Sequence, residues 1–218
     1  MRTRLPALAV ALAALLATGA AAAQETSFKQ NVAKFGLSDY TTNSKTNGVS
    51  GIGVPPGADA ETGDATTVIA VYERLITPNL GVELVLGVPP RIKADAKGSV
   101  AFLGSDILSA RNVSPTLLVL YHFGQPGDRF RPSLGAGINY TKFTDIKSRL
   151  APKVEMSDST GWAVQAGLDY ALTKEWGLFA SVAALQVKSK VVASGTTVLT
   201  SEIDFRPVVY SFGASYKF

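Results

Sequence analysis

The sequence predicts an all-β fold, an eight-stranded antiparallel transmembrane β-barrel. Three observations carry that reading. After residue 23 the chain falls into eight stretches, roughly 29–40, 66–76, 80–91, 112–123, 129–143, 159–172, 176–188 and 203–218. Each is about the ~9–11 residues that a tilted strand needs to cross a bilayer, or slightly longer. Their connections alternate. Residues 77–79, 124–128 and 173–175 are short, whereas the links near 41–65, 92–111, 144–158 and 189–202 are long and rich in Gly, Ser, Thr, Asp and Lys. Short turns at one end and long loops at the other mark membrane barrels, where every backbone polar group must be satisfied within a closed sheet. Finally, only 17% of residues are charged against 46% hydrophobic, where soluble domains carry about 25% charge.

The strands declare themselves by period two. The segment 29–40 carries Lys34 and the segment 66–76 carries Ile69, Val71 and Glu73 on the face that points inward. In 80–91, Leu80, Val82, Leu84, Leu86 and Val88 oppose Gly81, Glu83, Val85 and Gly87. In 112–123, Pro115, Leu117, Val119, Tyr121 and Phe123 oppose Thr116, Leu118, Leu120 and His122. In 129–143, Leu134, Ala136, Ile138 and Tyr140 oppose Ser133, Gly135, Gly137, Asn139 and Thr141. In 159–172, Trp162, Val164, Ala166, Leu168 and Tyr170 oppose Gly161, Ala163, Gln165, Gly167 and Asp169. The segment 176–188 places Leu185 and Val187 inward. The last segment ends in "YSFGASYKF", with Tyr210, Phe212, Tyr216 and Phe218 on one face and Val209, Ser211, Gly213, Ser215 and Lys217 on the other. A soluble barrel would put its polar face outward. Here the face opposite the apolar one carries Gly, Ser, Asn, Gln and charges, which suits a lumen. Aromatic residues at strand ends (Tyr40, Tyr121, Phe123, Phe130, Tyr140, Tyr170, Trp176, Tyr216 and Phe218) read as interfacial girdles.

The N-terminus indicates export. Met1-Arg-Thr-Arg4 is basic, Leu5–Ala17 is apolar, and Ala21-Ala22-Ala23 fits a small-x-small cleavage site with Gln24 as the first mature residue. Residues 1–23 are therefore expected to be a cleaved signal peptide and 24–218 the barrel, placed in the outer membrane of a bacterium. Without Arg2 and Arg4 the chain holds 19 Lys and Arg against 17 Asp and Glu, a balance that argues against nucleic acid. There is no Cys, which excludes disulfides and thiolate metal sites. The single His122 lacks the further ligands a metal site needs. Gly135-Ala-Gly137 and Gly51-Ile-Gly53 open no helix, so neither reads as a nucleotide loop; inward glycines would keep the lumen open or let a strand bend. An enzyme built on His122 with Ser114 or Thr116 is a remote reading. No cofactor or metal is expected, and the chain does not read as an enzyme.

"NLGVEL" (Asn79–Leu84), "SPTLLVLYHF" (Ser114–Phe123), "FRPSLGAGINYTKF" (Phe130–Phe143), "GLDY" (Gly167–Tyr170) and the final "YKF" resemble the OmpW family of outer-membrane proteins, which includes AlkL-like members. The resemblance implies an eight-stranded barrel, uptake of small hydrophobic compounds and their release sideways through the wall. It also makes Tyr210, Phe212, Tyr216 and Phe218 an assembly signal read by the barrel-assembly machinery, beside outer-membrane lipid and lipopolysaccharide as partners.

Face assignment yields a two-layered lumen. Near the short turns lie Lys34, Glu73, Glu83, His122, Arg131, Asp169 and Lys217, a charged collar. Its members are expected to neutralise one another, with Arg131 serving Glu83 or Asp169, because an unpaired buried charge is costly. Toward the long loops lie Ile69, Val71, Val85, Leu118, Leu120, Leu185 and Val187. Two readings stay open. The apolar layer is a path for small hydrophobic molecules, or it is side-chain filling in a small barrel that works through its loops as a structural, adhesion or stress-related protein.

Overall fold

The alternating segments close into a ring. In the computed structural model, which describes residues 29–195 and 198–218, the wall consists of β1 (Asn31–Thr41), β2 (Ala65–Leu75), β3 (Leu80–Gly87), β4 (Thr116–His122), β5 (Phe130–Ser148), β6 (Ser159–Ala171), β7 (Trp176–Leu185) and β8 (Val208–Lys217). The expected signal peptide lies outside the described residues. Each strand pairs antiparallel with the next, and β8 returns to β1 from Val32↔Lys217 to Thr41↔Val208. All eight expected strands are present and the barrel is closed. Closure removes the free strand edges that lipid could not satisfy.

The outer face is a band of exposed apolar side chains. Phe35, Leu134, Ile138 and Phe212 are 55–63% exposed, the inverse of a soluble barrel. At the short-turn end aromatic pairs ring this band: Tyr121 with Phe123, Phe130 with Tyr170, Trp176 with Tyr216, and Tyr216 with Phe218. Tyr40 does not join a girdle. It faces inward in β1 and packs on the internal apolar cluster. The short turns are built by local capping. Thr77 Oγ1 accepts from the amides of Asn79 and Leu80, and Thr173 Oγ1 accepts from those of Glu175 and Trp176.

Three prolines interrupt segments that the alternation reads as continuous. Pro90 precedes Arg91, Pro115 separates Val113 from Thr116, and Pro207 separates Asp204 from Val208. A residue without an N–H breaks the ladder, so 80–91, 112–123 and 203–218 are each shorter in the wall than expected. Beyond these breaks the long connections are sheet rather than loop. Ala58–Thr62, Arg91–Gly98 and Leu108–Val113 extend the upper half of the 19-residue β5. Lys153–Met156, Lys188–Ser194, Val198–Asp204 and Lys45–Thr46 form a second sheet. The barrel wall thus rises past the membrane band as two facing sheets.

Candidate functional site

The lumen is stratified, and its floor is organised by one amine. Lys34 Nζ lies 3.1 Å from Glu73, 2.9 Å from Glu83 and 3.5 Å from Asp169. Period two places all four inward from three separate strands and β6, and closure brings them together. Gln165 Nε2 donates to the second oxygen of Glu83 (2.9 Å), while His122 Nε2 meets Glu73 Oε1 at 2.5 Å and its Nδ1 stands 3.5 Å from Asp169. Lys34, Glu73, Glu83 and His122 are at most 5% exposed. The Lys34 ammonium also lies 5.8 Å from the centroid of the Phe179 ring.

This corrects one expectation. Arg131 is inward and buried, but among the described residues no carboxylate comes within 4.0 Å of it. It donates instead through Nη2 to the carbonyl of Pro78 (2.7 Å). Lys34, with its flexible stem, reaches the three acids first. Lys217 lies lower still and makes no ion pair among the described residues; its carbonyl accepts from Lys29 Nζ.

Above the floor the lining becomes apolar. Leu118 and Leu120 are 1% and 0% exposed and pack in one cluster with Leu185, Val187 and Val209. Gly135 and Gly137 stand cross-strand from Leu120 and Leu118. A Cβ at Gly137 would lie 2.8 Å from Leu118 Cα. Gly137 thus lets the two strand backbones approach closely, and Gly135 leaves room for the Leu120 side chain, which fills the lumen rather than holding it open. Ile69 and Val71 form a smaller cluster with Phe179 beside the floor, and Val85 touches both clusters. A space of about 20 Å³ lies beside Lys34, room for about one water molecule.

A polar belt interrupts one side of this column, and the two-layer reading missed it. Asn139 Nδ2 donates to Ser114 Oγ (2.8 Å) and Thr116 Oγ1 (2.9 Å), and Thr141 Oγ1 donates to Asn139 Oδ1 (2.8 Å). The alternation had placed Asn139 and Thr141 inward, so the signal was present. Ser114 and Thr116 are thereby engaged. Thr116 lies six residues from His122 along the strand, about 20 Å at the usual rise, so the two form no catalytic pair.

Beyond the belt Phe143 and Phe205 stack with centroids 5.4 Å apart. Phe143 continues the inward period of β5; Phe205 lies between strands, where periodicity says nothing. Above them, between the two facing sheets, an apolar cavity of about 110 Å³ is lined by residues including Val49, Leu150, Val154, Val191 and Leu199. The apolar lining therefore runs from this mouth past Phe143 and Phe205 to Leu118, Leu120 and Leu185, and stops at the charged floor.

Comparison with known proteins identifies this architecture. Outer membrane protein W of Escherichia coli K12 is 30% identical over 154 residues, covering 67% of this chain and 70% of its own. Outer membrane protein AlkL of Ectopseudomonas oleovorans is 29% identical over 169 residues, covering 77% and 73%. The crystal structure of the outer membrane protein OprG from Pseudomonas aeruginosa superposes with a TM-score of 0.80 at 24% identity, covering 88% of this chain and 96% of that one. The family profile described as the OmpW family matches residues 29–218. The closed eight-stranded ring, its apolar outer band and these matches agree: the chain is an outer-membrane β-barrel and belongs to the OmpW family.

Proposed function

We propose that this barrel takes up small hydrophobic molecules through its long-loop end. One observation supports the reading above others: the apolar lining is continuous from the 110 Å³ mouth to the leucines of the upper lumen. Short turns lie on the periplasmic side of such barrels, so this mouth opens outward from the cell. A solute descending the column meets Lys34 and its carboxylates. Moving past them would separate buried ion pairs, at about 3–5 kcal/mol for each charge left alone. Leaving through the wall into lipid breaks none. The ligand class matches what the resemblance to the family implies. On this reading the lining residues Ile69, Val71, Val85, Leu118, Leu120, Leu185 and Val187 contact solute, and the collar of Lys34, Glu73, Glu83, His122, Arg131, Asp169 and Lys217 stops it.

The competing reading is a filled, non-transporting barrel, and the burial of Leu118 and Leu120 favours it. The test places a charge where it can still reach water. Leu199→Lys and Val154→Lys, both half-buried at the mouth, should slow uptake of a fluorescent apolar solute into proteoliposomes by about tenfold, because carrying a solute past a charge that must shed water costs more than 1 kcal/mol. Their folded fraction should match the parent. Unchanged uptake in both folded variants would leave the lumen as packing.

A further inference from the structure

The periplasmic end holds a second cavity, separated from the apolar column by the Lys34 floor and unused by the function proposed above. Its volume is about 470 Å³, within the ~300–1,000 Å³ usual for small-molecule sites. Five cations line it: Lys29, Arg129, Arg131, Lys174 and Lys217. One carboxylate, Asp128, shares the lining and already accepts a hydrogen bond from the Gln125 amide. Lys29 is neutralised by Glu175 at 3.0 Å. Among the described residues the other four cations have no ion pair within 4.0 Å. The remaining wall is apolar or small, with Leu75, Pro126, Ala171 and Leu172.

Arg131 separates this arrangement from a scatter of surface lysines. It is 5% exposed, its Nη2 is fixed on the Pro78 carbonyl, and its buried Nε has no hydrogen-bond partner among the described residues. A buried guanidinium N–H left open costs stability unless something accepts it. The four cations also face one concavity, where the buried Arg131 and the half-buried Lys217 repel one another, and together they focus a positive field into it. Both costs vanish together if an anion occupies the cavity.

We propose that this vestibule binds a small, multiply charged anion of the phosphate class. Arg131 offers its planar fork from the cavity roof, and Lys217, Lys174 and Arg129 surround the charge. Guanidinium and ammonium groups converging from different strands and turns suit a tetrahedral oxyanion. The anion is a soluble one. Arg131 and Lys217 point into the barrel, and the girdle of Phe130, Trp176, Tyr216 and Phe218 stands between them and the acyl chains.

The experiment is calorimetric titration of the folded barrel, in a maltoside detergent free of phosphate, with inorganic pyrophosphate. Saturable one-to-one binding is expected, weakened about tenfold or more by Lys217→Gln and by Arg131→Gln. The Arg129→Gln/Lys174→Gln double variant, altered only on exposed turns, should weaken it as well, so a folding defect at Arg131 cannot hide the answer. Lys93→Gln/Lys147→Gln, at the opposite end, should bind as the parent does. No heat of binding up to ~10 mM pyrophosphate, or equal affinity in the vestibule variants, would overturn the site. Binding of soluble dihexanoyl phosphatidic acid without binding of pyrophosphate would overturn the assignment to a free anion.

Discussion

A single ammonium, that of Lys34, faces three carboxylates, and the cavities lined by Lys34 and by Glu73 hold only about 20 and 10 Å³. Replacing it by Met keeps the stem and deletes the charge. Lys34→Met should lower the barrel's stability by about 3–5 kcal/mol, since Glu73, Glu83 and Asp169 would be left facing one another. The shift in urea midpoint of folded protein in lipid vesicles measures it. Arg131→Met should shift that midpoint far less, because among the described residues no carboxylate lies within 4.0 Å of Arg131, whereas Lys34 touches three. The opposite ranking would return the floor to the pairing expected from sequence. The collar residues themselves were legible, as alternation alone sends Lys34, Glu73, Glu83 and Asp169 inward. Their partnership was not. Which cation reaches which acid is set by strand tilt and stem length, and neither is written into a period of two.

At the scale of elements, the membrane-crossing strands were legible and the raised wall was not. Arg91–Gly98 does alternate, with Ile92, Ala94 and Ala96 against Arg91, Lys93, Asp95 and Lys97. Its charged outer face makes it look like a loop beside the aliphatic faces of β3 and β4. Prolines 90, 115 and 207 hid the boundary too, because each sits inside an apparently unbroken run. The raised wall has its own electrostatic joint where β5 shifts register between Thr144 and Lys147. Asp145 adopts φ 47° there, and its carboxylate accepts from Arg91 with Arg111 and Lys147 nearby. The Arg91 hydrogen bond, aided by these charges, holds its carboxyl below the usual value. A carboxyl depressed in the folded state stabilises above its unfolded value, about pH 4, and that contribution fades as pH falls through the folded value. Hydrogen exchange at 144–148 should therefore accelerate, after correction for intrinsic rates, between pH 6 and about pH 3. In Asp145→Asn it should be fast throughout. A flat profile in the parent would show that the ion cluster does not hold the joint.

For the whole molecule, closure between β1 and β8 is the defining contact. Phe218 N donates to Asn31 O (2.9 Å), Asn31 N donates back to Phe218 O (3.1 Å), and the Phe218 ring stacks on Tyr216. The terminal aromatic is thus tied into the seam. Deleting Phe218 should reduce the heat-modifiable, folded fraction in cells severalfold. Refolding the purified chain into thin liposomes separates two causes: normal yield there with a deficit in cells points to a lost assembly signal, and a deficit in both points to a weakened seam. Normal yield in both would dismiss either role. The seam also imposes a schedule. Val32 must find Lys217, so nearly the whole chain is looped out before the ring can shut, and contacts of such long sequence separation form slowly. Until Val208–Lys217 arrives, β1 presents an unpaired edge. The pairing of β1 with β8 is thus what turns a sheet with two open edges, prone to stick to other chains, into a ring with none.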